Sequence, residues 1–242
     1  MPLTAKEYRM YSSLSKKSLA LGAAVVVTLA AVIGALLMAI PPVVGLGDKV
    51  KLPLLHGGST WVDLMIFTIM GVLGLIYVFT RNKRVYAWEV GFRAVAAPLW
   101  LVNSALGFAA AASTWDFSGS KTSEIAIIGA DPRLRAQILL LFAVAVLLLL
   151  DWLVFENRLY KAVADIAFTV AMLVLMSDLF LDPVKRAMHP DSPVLNSGWD
   201  IKAPFFGMVI AIFGVTLVLS WLASSTVRLD VAPAEESGRS AE

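Results

Sequence analysis

The sequence predicts an all-α integral membrane protein, a bundle of six transmembrane helices with both termini in the cytoplasm. Of the 242 residues, 59% are hydrophobic and only 16% are charged, which is too apolar a composition for a soluble domain of this size. Six apolar stretches are each long enough to cross a hydrocarbon core of about 30 Å as a helix. With six crossings, the side that holds the termini carries 12 of the 20 Lys and Arg residues, and such an excess is typical of the cytoplasmic side.

The apolar stretches run from 19–40, 62–80, 94–112, 136–154, 162–181 and 203–224. Inside lipid the backbone must satisfy its own hydrogen bonds, so each stretch is predicted to be a helix. The first follows Lys16-Lys17 but is too long for a signal peptide and lacks a convincing cleavage site, so we interpret it as a retained helix. One membrane domain therefore spans 1–230, and the polar tail 231–242 is predicted to be disordered and cytoplasmic.

The compact basic segment Arg81-Asn82-Lys83-Arg84 is the strongest cytoplasmic signal. The resulting orientation, in a cytoplasmic (inner) membrane, places both histidines of the chain in external loops on the same side. His56 precedes the second stretch, and His189 lies between the fifth and the sixth.

The composition also excludes several classes of function. The chain has no cysteine, so disulfides, thiolate zinc sites and iron–sulfur clusters are excluded. Its slight basic excess is too scattered to indicate nucleic acid as a partner. We find no nucleophile and base in a suitable context and no glycine-rich phosphate loop, so we expect a carrier or delivery component instead of an enzyme.

The two histidines are the best candidates for ligands. Neutral imidazole is a good axial ligand for heme iron, and two imidazoles from separate loops can hold a heme from both faces. The alternative is that each histidine caps a helix or forms a hydrogen bond in an interfacial loop, which is the commoner role of a single loop histidine.

Four short sequence segments, two of which contain the histidines, form a recognisable pattern along the chain. His56-Gly-Gly-Ser-Thr-Trp61 opens the second helix, and Arg93-Ala-Val-Ala-Ala-Pro98 begins the third. Asp131-Pro-Arg133-Leu134 leads into the fourth, and Met188-His189-Pro190 precedes the sixth in a loop that reaches Trp199. In this order and spacing, residues 54–222 resemble the CcmC-type heme-handling proteins of cytochrome c maturation. The tryptophan-rich loop of that family is here reduced to Ser113-Thr114-Trp115-Asp116-Phe117.

The resemblance implies that the cofactor is heme b, that His56 and His189 are its axial ligands, and that the site faces the periplasm or exterior. It also implies that heme passes to a membrane-anchored heme chaperone, with other cytochrome c maturation subunits alongside. Asp131 and Arg133 belong to the matched element. Tryptophans that could lie against the porphyrin, or instead belong to the interfacial belt, are Trp61, Trp115 and Trp199. Cations that could meet the propionates are Arg133, Arg135, Lys185, Arg186 and Lys202.

Other interpretations remain open. The chain could be a membrane-anchor or electron-transfer subunit that retains a heme b, a subunit that binds copper or zinc, or a scaffold without a ligand. Five acids fall near the ends of the apolar stretches: Asp63, Asp151, Asp165, Asp178 and Asp182. Their positions favour hydration at the headgroups or pairing over proton relay. Asp63 or Asp182 could also orient an axial imidazole through its second nitrogen.

Overall fold

The computed structural model describes residues 15–115, 122–153, 157–184, 194 and 197–227. Seven α-helices lie within these ranges: α1 (Lys16–Ala39), α2 (Lys51–Thr80), α3 (Lys83–Thr114), α4 (Glu124–Ala130), α5 (Pro132–Leu153), α6 (Arg158–Leu181) and α7 (Trp199–Ser224). A short 3-10 turn, Asp48–Val50, leads directly into α2. The predicted all-α class is confirmed for the described chain.

Six of the helices, all except α4, are long and apolar enough to cross a membrane. The short α4 lies in the connection between α3 and α5, where Ile128 packs against Ala111 and Leu134. On the outside of the bundle, large apolar side chains such as Phe79 and Ile210 are exposed, which suits contact with lipid. The chain is thus a multi-pass, membrane-type helical bundle.

All six membrane-type helices begin before the predicted apolar stretches, and the second and third differ most. The second begins at Lys51 instead of 62, and the third begins at Lys83 instead of 94. The prediction that His56 lies in a loop is therefore wrong, because it lies in the second turn of α2. Hydropathy marks only the apolar part of a helix, whereas α2 and α3 continue into turns with polar side chains that have partners on other helices, such as His56 and Arg93.

Side-chain caps define several helix ends. Asn82 accepts a hydrogen bond from the Arg84 backbone N–H at 2.9 Å, and Arg81, with φ 54°, takes the left-handed conformation that ends α2. Together these two residues form the tight connection between α2 and α3. Asn157 likewise caps α6 by accepting from the backbone of Leu159 and Tyr160.

The helices α2 and α3 form the central antiparallel pair of the bundle. The last helix, α7, packs against α1, α2 and α3, and α6 packs against α2 and α5. In the core, the Phe67 ring lies 6.1 Å from the Trp100 ring and 4.8 Å from the Phe168 ring, measured between centroids. This aromatic cluster joins α2, α3 and α6.

Polar residues gather at the two opposite ends of this core. The beginning of α2, the end of α3 and the beginning of α5 meet around Gly107, and we call this the His56 end. The end of α2 and the beginnings of α3 and α6 meet at the other end, around Gly74, which we call the Glu89 end. Gly22 of α1 packs against Leu222 of α7, so the start of α1 and the end of α7 lie together.

Candidate functional site

Asn103 is the centre of a buried polar network at the His56 end. Its Nδ2 donates to Asp63 Oδ2 at 2.9 Å and to Thr60 Oγ1 at 3.0 Å. The Thr60 hydroxyl in turn donates to the His56 carbonyl at 2.9 Å, so the Thr60 oxygen can accept the hydrogen bond from Asn103. Since Asn103 Nδ2 faces two acceptors, the orientation of this amide follows from its hydrogen bonds.

The network also determines the tautomer of His56. Its Nδ1 lies 2.8 Å from Asn103 Oδ1 and 3.2 Å from the Asn103 carbonyl oxygen. Because both atoms are acceptors, Nδ1 carries a proton and donates it. In the neutral ring the lone pair then belongs to Nε2. A histidine that donates its other nitrogen to a fixed acceptor is the usual arrangement of a metal-ligating histidine.

Asp63 places a carboxyl group directly behind Asn103. Its side chain is 0% exposed and accepts from Asn103, so of the two expected roles, hydration at the headgroups or pairing, only pairing applies to this residue. The expectation that Asp63 orients the imidazole holds only indirectly, because Asn103 stands between the two. Asp182 instead accepts from the backbone N–H of Val184 at 2.8 Å, in a local turn.

Gly107 of α3 lets His56 of α2 and Gln137 of α5 pack closely against it. A Cβ at this position would lie 2.8 Å from His56 Cε1 and 2.9 Å from Gln137 Oε1, so a larger residue would displace both side chains. Gln137 is buried. Arg133 stands one turn before Gln137 on the same face of α5.

The three predicted tryptophans lie in different surroundings. Trp61 follows His56 by five residues, which turns it by about 140° around α2. It is 61% exposed and lines a shallow apolar groove with Met65 and Phe213, as expected of a belt residue. Trp199, the first residue of α7, is 76% exposed. Trp115 is partly buried and packs against the cluster that contains Ile128.

Asp131 has a structural role in the described part of the matched element. It is buried, and its Oδ1 accepts from the backbone N–H groups of Arg133 and Leu134 at 2.9 and 3.0 Å. It therefore caps α5 and holds the start of that helix beside α3. Arg135 is exposed and its Nε donates to the Gly129 carbonyl at 2.7 Å.

Several candidates lie outside the described residues: His189, Lys185, Arg186 and the tail 231–242. Within the described part of the chain, no group of three or more His, Cys, Asp and Glu residues is arranged to hold a metal ion. The sequence alone does not mark Asn103 and Gln137 as candidates, because each is a single amide in an apolar helix. An amide inside a membrane span is nonetheless a signal, since it needs a partner on another helix.

We expect Gly107→Ala to displace His56 from Asn103. The added methyl group must push the two side chains aside, and such overpacking typically costs about 1–3 kcal/mol of stability. With ¹⁵N-histidine labelling the chain shows two imidazoles, and His56→Ala identifies the signals of His56. The wild-type spectrum should show the Nδ1–H form at His56, and Gly107→Ala should perturb it. Gly34→Ala is the matched control, because nothing lies within 4 Å of that Cβ. An unperturbed His56 signal in Gly107→Ala would contradict the described packing.

Comparison with known proteins returns no match. No family model, no curated protein and no solved structure matches this chain.

Proposed function

We propose that this protein binds heme b at the His56 end and delivers it to a membrane-anchored heme chaperone during cytochrome c maturation. The observation that carries the proposal is the hydrogen bond of 2.8 Å between His56 Nδ1 and Asn103 Oδ1. It places the lone pair of the neutral ring on Nε2, the nitrogen that would ligate iron. The Asn103–Asp63 pair fixes the orientation of the His56 ring and raises the basicity of Nε2.

His189 is the second proposed axial ligand, as the resemblance to the heme-handling family implies. When bound, heme supplies an iron with two axial positions and two anionic propionates. Arg133, on the face of α5 that meets His56, is the proposed propionate partner, because a guanidinium binds carboxylates with two parallel hydrogen bonds. Delivery and the identity of the receiving chaperone rest on the resemblance alone.

The absorption spectrum and the pyridine-hemochrome assay of the purified protein test the binding step. We expect a b-type hemochrome and the spectrum of a six-coordinate low-spin iron. Incubation with an apo-chaperone, followed by separation of the two proteins, tests delivery. Heme should move to the chaperone. Heme that stays would instead assign the chain to electron transfer or membrane anchoring, and a protein without any chromophore would contradict the proposal.

We also propose that the His56 end faces the outside of the cytoplasmic membrane, on the basis of the basic residues at the opposite end. Val44, in the connection before α2, is 100% exposed, whereas Arg84 is exposed at the start of α3. In intact cells Val44→Cys should therefore react with a membrane-impermeant thiol reagent, and Arg84→Cys should react only after the membrane is opened. The chain has no native cysteine to interfere. The reverse labelling pattern would overturn the orientation.

A further inference from the structure

A second polar cluster lies at the Glu89 end, remote from His56. It combines Glu89 and Arg93 of α3, Asp151 of α5, and Lys161 and Asp165 of α6. Glu89 and Asp165 are each 0% exposed, and Arg93 is 4% exposed. Asp151 and Asp165 both pair with Arg93, and pairing is one of the two roles that the sequence predicted for them. Glu89 was not singled out, because it stands in a polar segment before the third apolar stretch.

The cations of the cluster are already engaged by the two aspartates. Arg93 Nη1 lies 3.1 Å from Asp151 Oδ1 and 3.4 Å from Asp165 Oδ1. Lys161 Nζ lies 2.8 Å from Asp151 Oδ1. Three carboxyl groups therefore face two cations, and Glu89 is the one without an ion pair within the described structure.

The Glu89 carboxyl lies against α6 beside Asp165, since a Cβ at Gly74 would lie 3.2 Å from Glu89 Oε1, 3.1 Å from the Ala162 carbonyl oxygen and 3.4 Å from Ile166 Cγ1. No donor among the described residues reaches Glu89 Oε1, Glu89 Oε2 or Asp165 Oδ2. If both groups were ionised, two buried acceptors would face each other without a hydrogen atom between them, and two adjacent carboxylates do not both ionise readily. A single proton converts this repulsive pair into a donor and an acceptor, and it also balances the charges of the cluster.

The residues packed around Glu89 and Asp165 exclude water from the two carboxyl groups. On α2, Gly74 lets the helix approach closely, since a Cβ there would lie 3.2 Å from Glu89 Oε1. The rings of Tyr77 and Tyr86 pack 5.0 Å apart beside the cluster, and the Arg158 guanidinium lies 5.6 Å from the centre of the Tyr86 ring. The groups that face Glu89 are thus Arg93 and Tyr86 on its own helix, Tyr77 on α2, Asp151 on α5, and Lys161 and Asp165 on α6.

We propose that Glu89 and Asp165 together form an internal proton-binding site that holds one exchangeable proton and exchanges it with water through Asp151. Asp151 is suited to this because its side chain is 35% exposed, in contrast to the two buried acids. The proton is taken from water on the side of the α5–α6 connection and returns there, with no other bond made or broken. The site is independent of heme and of the proposed delivery.

Infrared difference spectroscopy of the purified full chain tests the site. A protonated carboxyl group gives a C=O stretching band well separated from the carboxylate bands, and this band shifts in D₂O. We expect a band from this pair in the wild type near neutral pH, and Asp63→Asn identifies any band from the other fully buried carboxyl, that of Asp63. Glu89→Gln, which replaces the acid by a neutral group of the same shape, and Asp165→Asn should each remove or shift the band from the pair. Glu124→Gln is the matched control, because Glu124 is exposed at the other end of the bundle.

The rate of the D₂O shift tests the route. Asp151→Asn should slow exchange of the band while leaving the band itself in place, and Glu124→Gln should not change the rate. If a Glu89 or Asp165 variant fails to fold, a protonated-carboxyl band that persists in Asp63→Asn still supports the site. Absence of such a band from Asp63→Asn near neutral pH, or a band that persists unshifted in both Glu89→Gln and Asp165→Asn in the Asp63→Asn background, would overturn the proposal. Unchanged exchange in Asp151→Asn would overturn the route through Asp151.

Discussion

Replacing His56 by alanine is expected to remove most of the bound heme. The substitution deletes the proposed nitrogen ligand, which the Asn103 hydrogen bond orients, so any residual heme should lose the six-coordinate low-spin spectrum. His189→Ala should change the spectrum in the same direction, and the double variant should contain almost no heme because the chain has only these two histidines. Absorption spectra and pyridine-hemochrome content per folded protein measure the effect.

Asn103→Leu tests whether the orientation of the His56 imidazole, and not only its presence, contributes to heme binding. It keeps His56 but removes the closer acceptor of the Nδ1 proton, Asn103 Oδ1 at 2.8 Å, and leaves the Asn103 backbone carbonyl at 3.2 Å. Loss of such a partner typically lowers metal affinity by about 10- to 100-fold. Ser104→Ala is the control, because this neighbouring buried serine bonds only to the Trp100 carbonyl of its own helix. Unchanged spectra in both single histidine variants would exclude axial ligation, and equal heme affinity in Asn103→Leu and Ser104→Ala would exclude the orienting role.

The largest loss of stability is expected from Arg93→Met. Arg93 is 4% exposed and pairs with both Asp151 and Asp165. Removing one partner of a buried ion pair leaves an uncompensated charge, at a cost of about 3–5 kcal/mol. The free energy of unfolding in detergent, or the folded yield from membranes, measures this loss.

A double variant identifies the origin of that loss. Arg93→Met combined with Asp165→Asn removes one positive and one negative group together, so it should recover part of the lost stability. Arg135→Met is the control, because Arg135 is exposed at the start of α5. Wild-type stability in Arg93→Met, or no recovery in the double variant, would show that packing and not charge governs this region.

The sequence predicted the membrane helices because transfer of side chains into lipid is a local property. Each apolar stretch contributes its own favourable free energy, and the backbone in lipid has no alternative to helix. The same locality explains the errors at Lys51 and Lys83. Polar turns such as the one with His56 register as loops by hydropathy, although they remain helical when another helix supplies their partners.

For the candidate site, too, some features follow from the sequence and others only from the tertiary structure. The sequence by itself determined that the chain is a multi-pass helical protein and that its two histidines are the only imidazoles available. The tertiary structure alone decided that His56 meets Asn103, 47 positions away, and that Trp61 faces the exterior. It also decided that Arg93 pairs with Asp165, 72 positions away, while Glu89 packs against α6 beside that aspartate. The physical reason is that hydropathy is a sum over neighbours in the chain, whereas a buried hydrogen bond depends on the rotation and depth of two helices packed together.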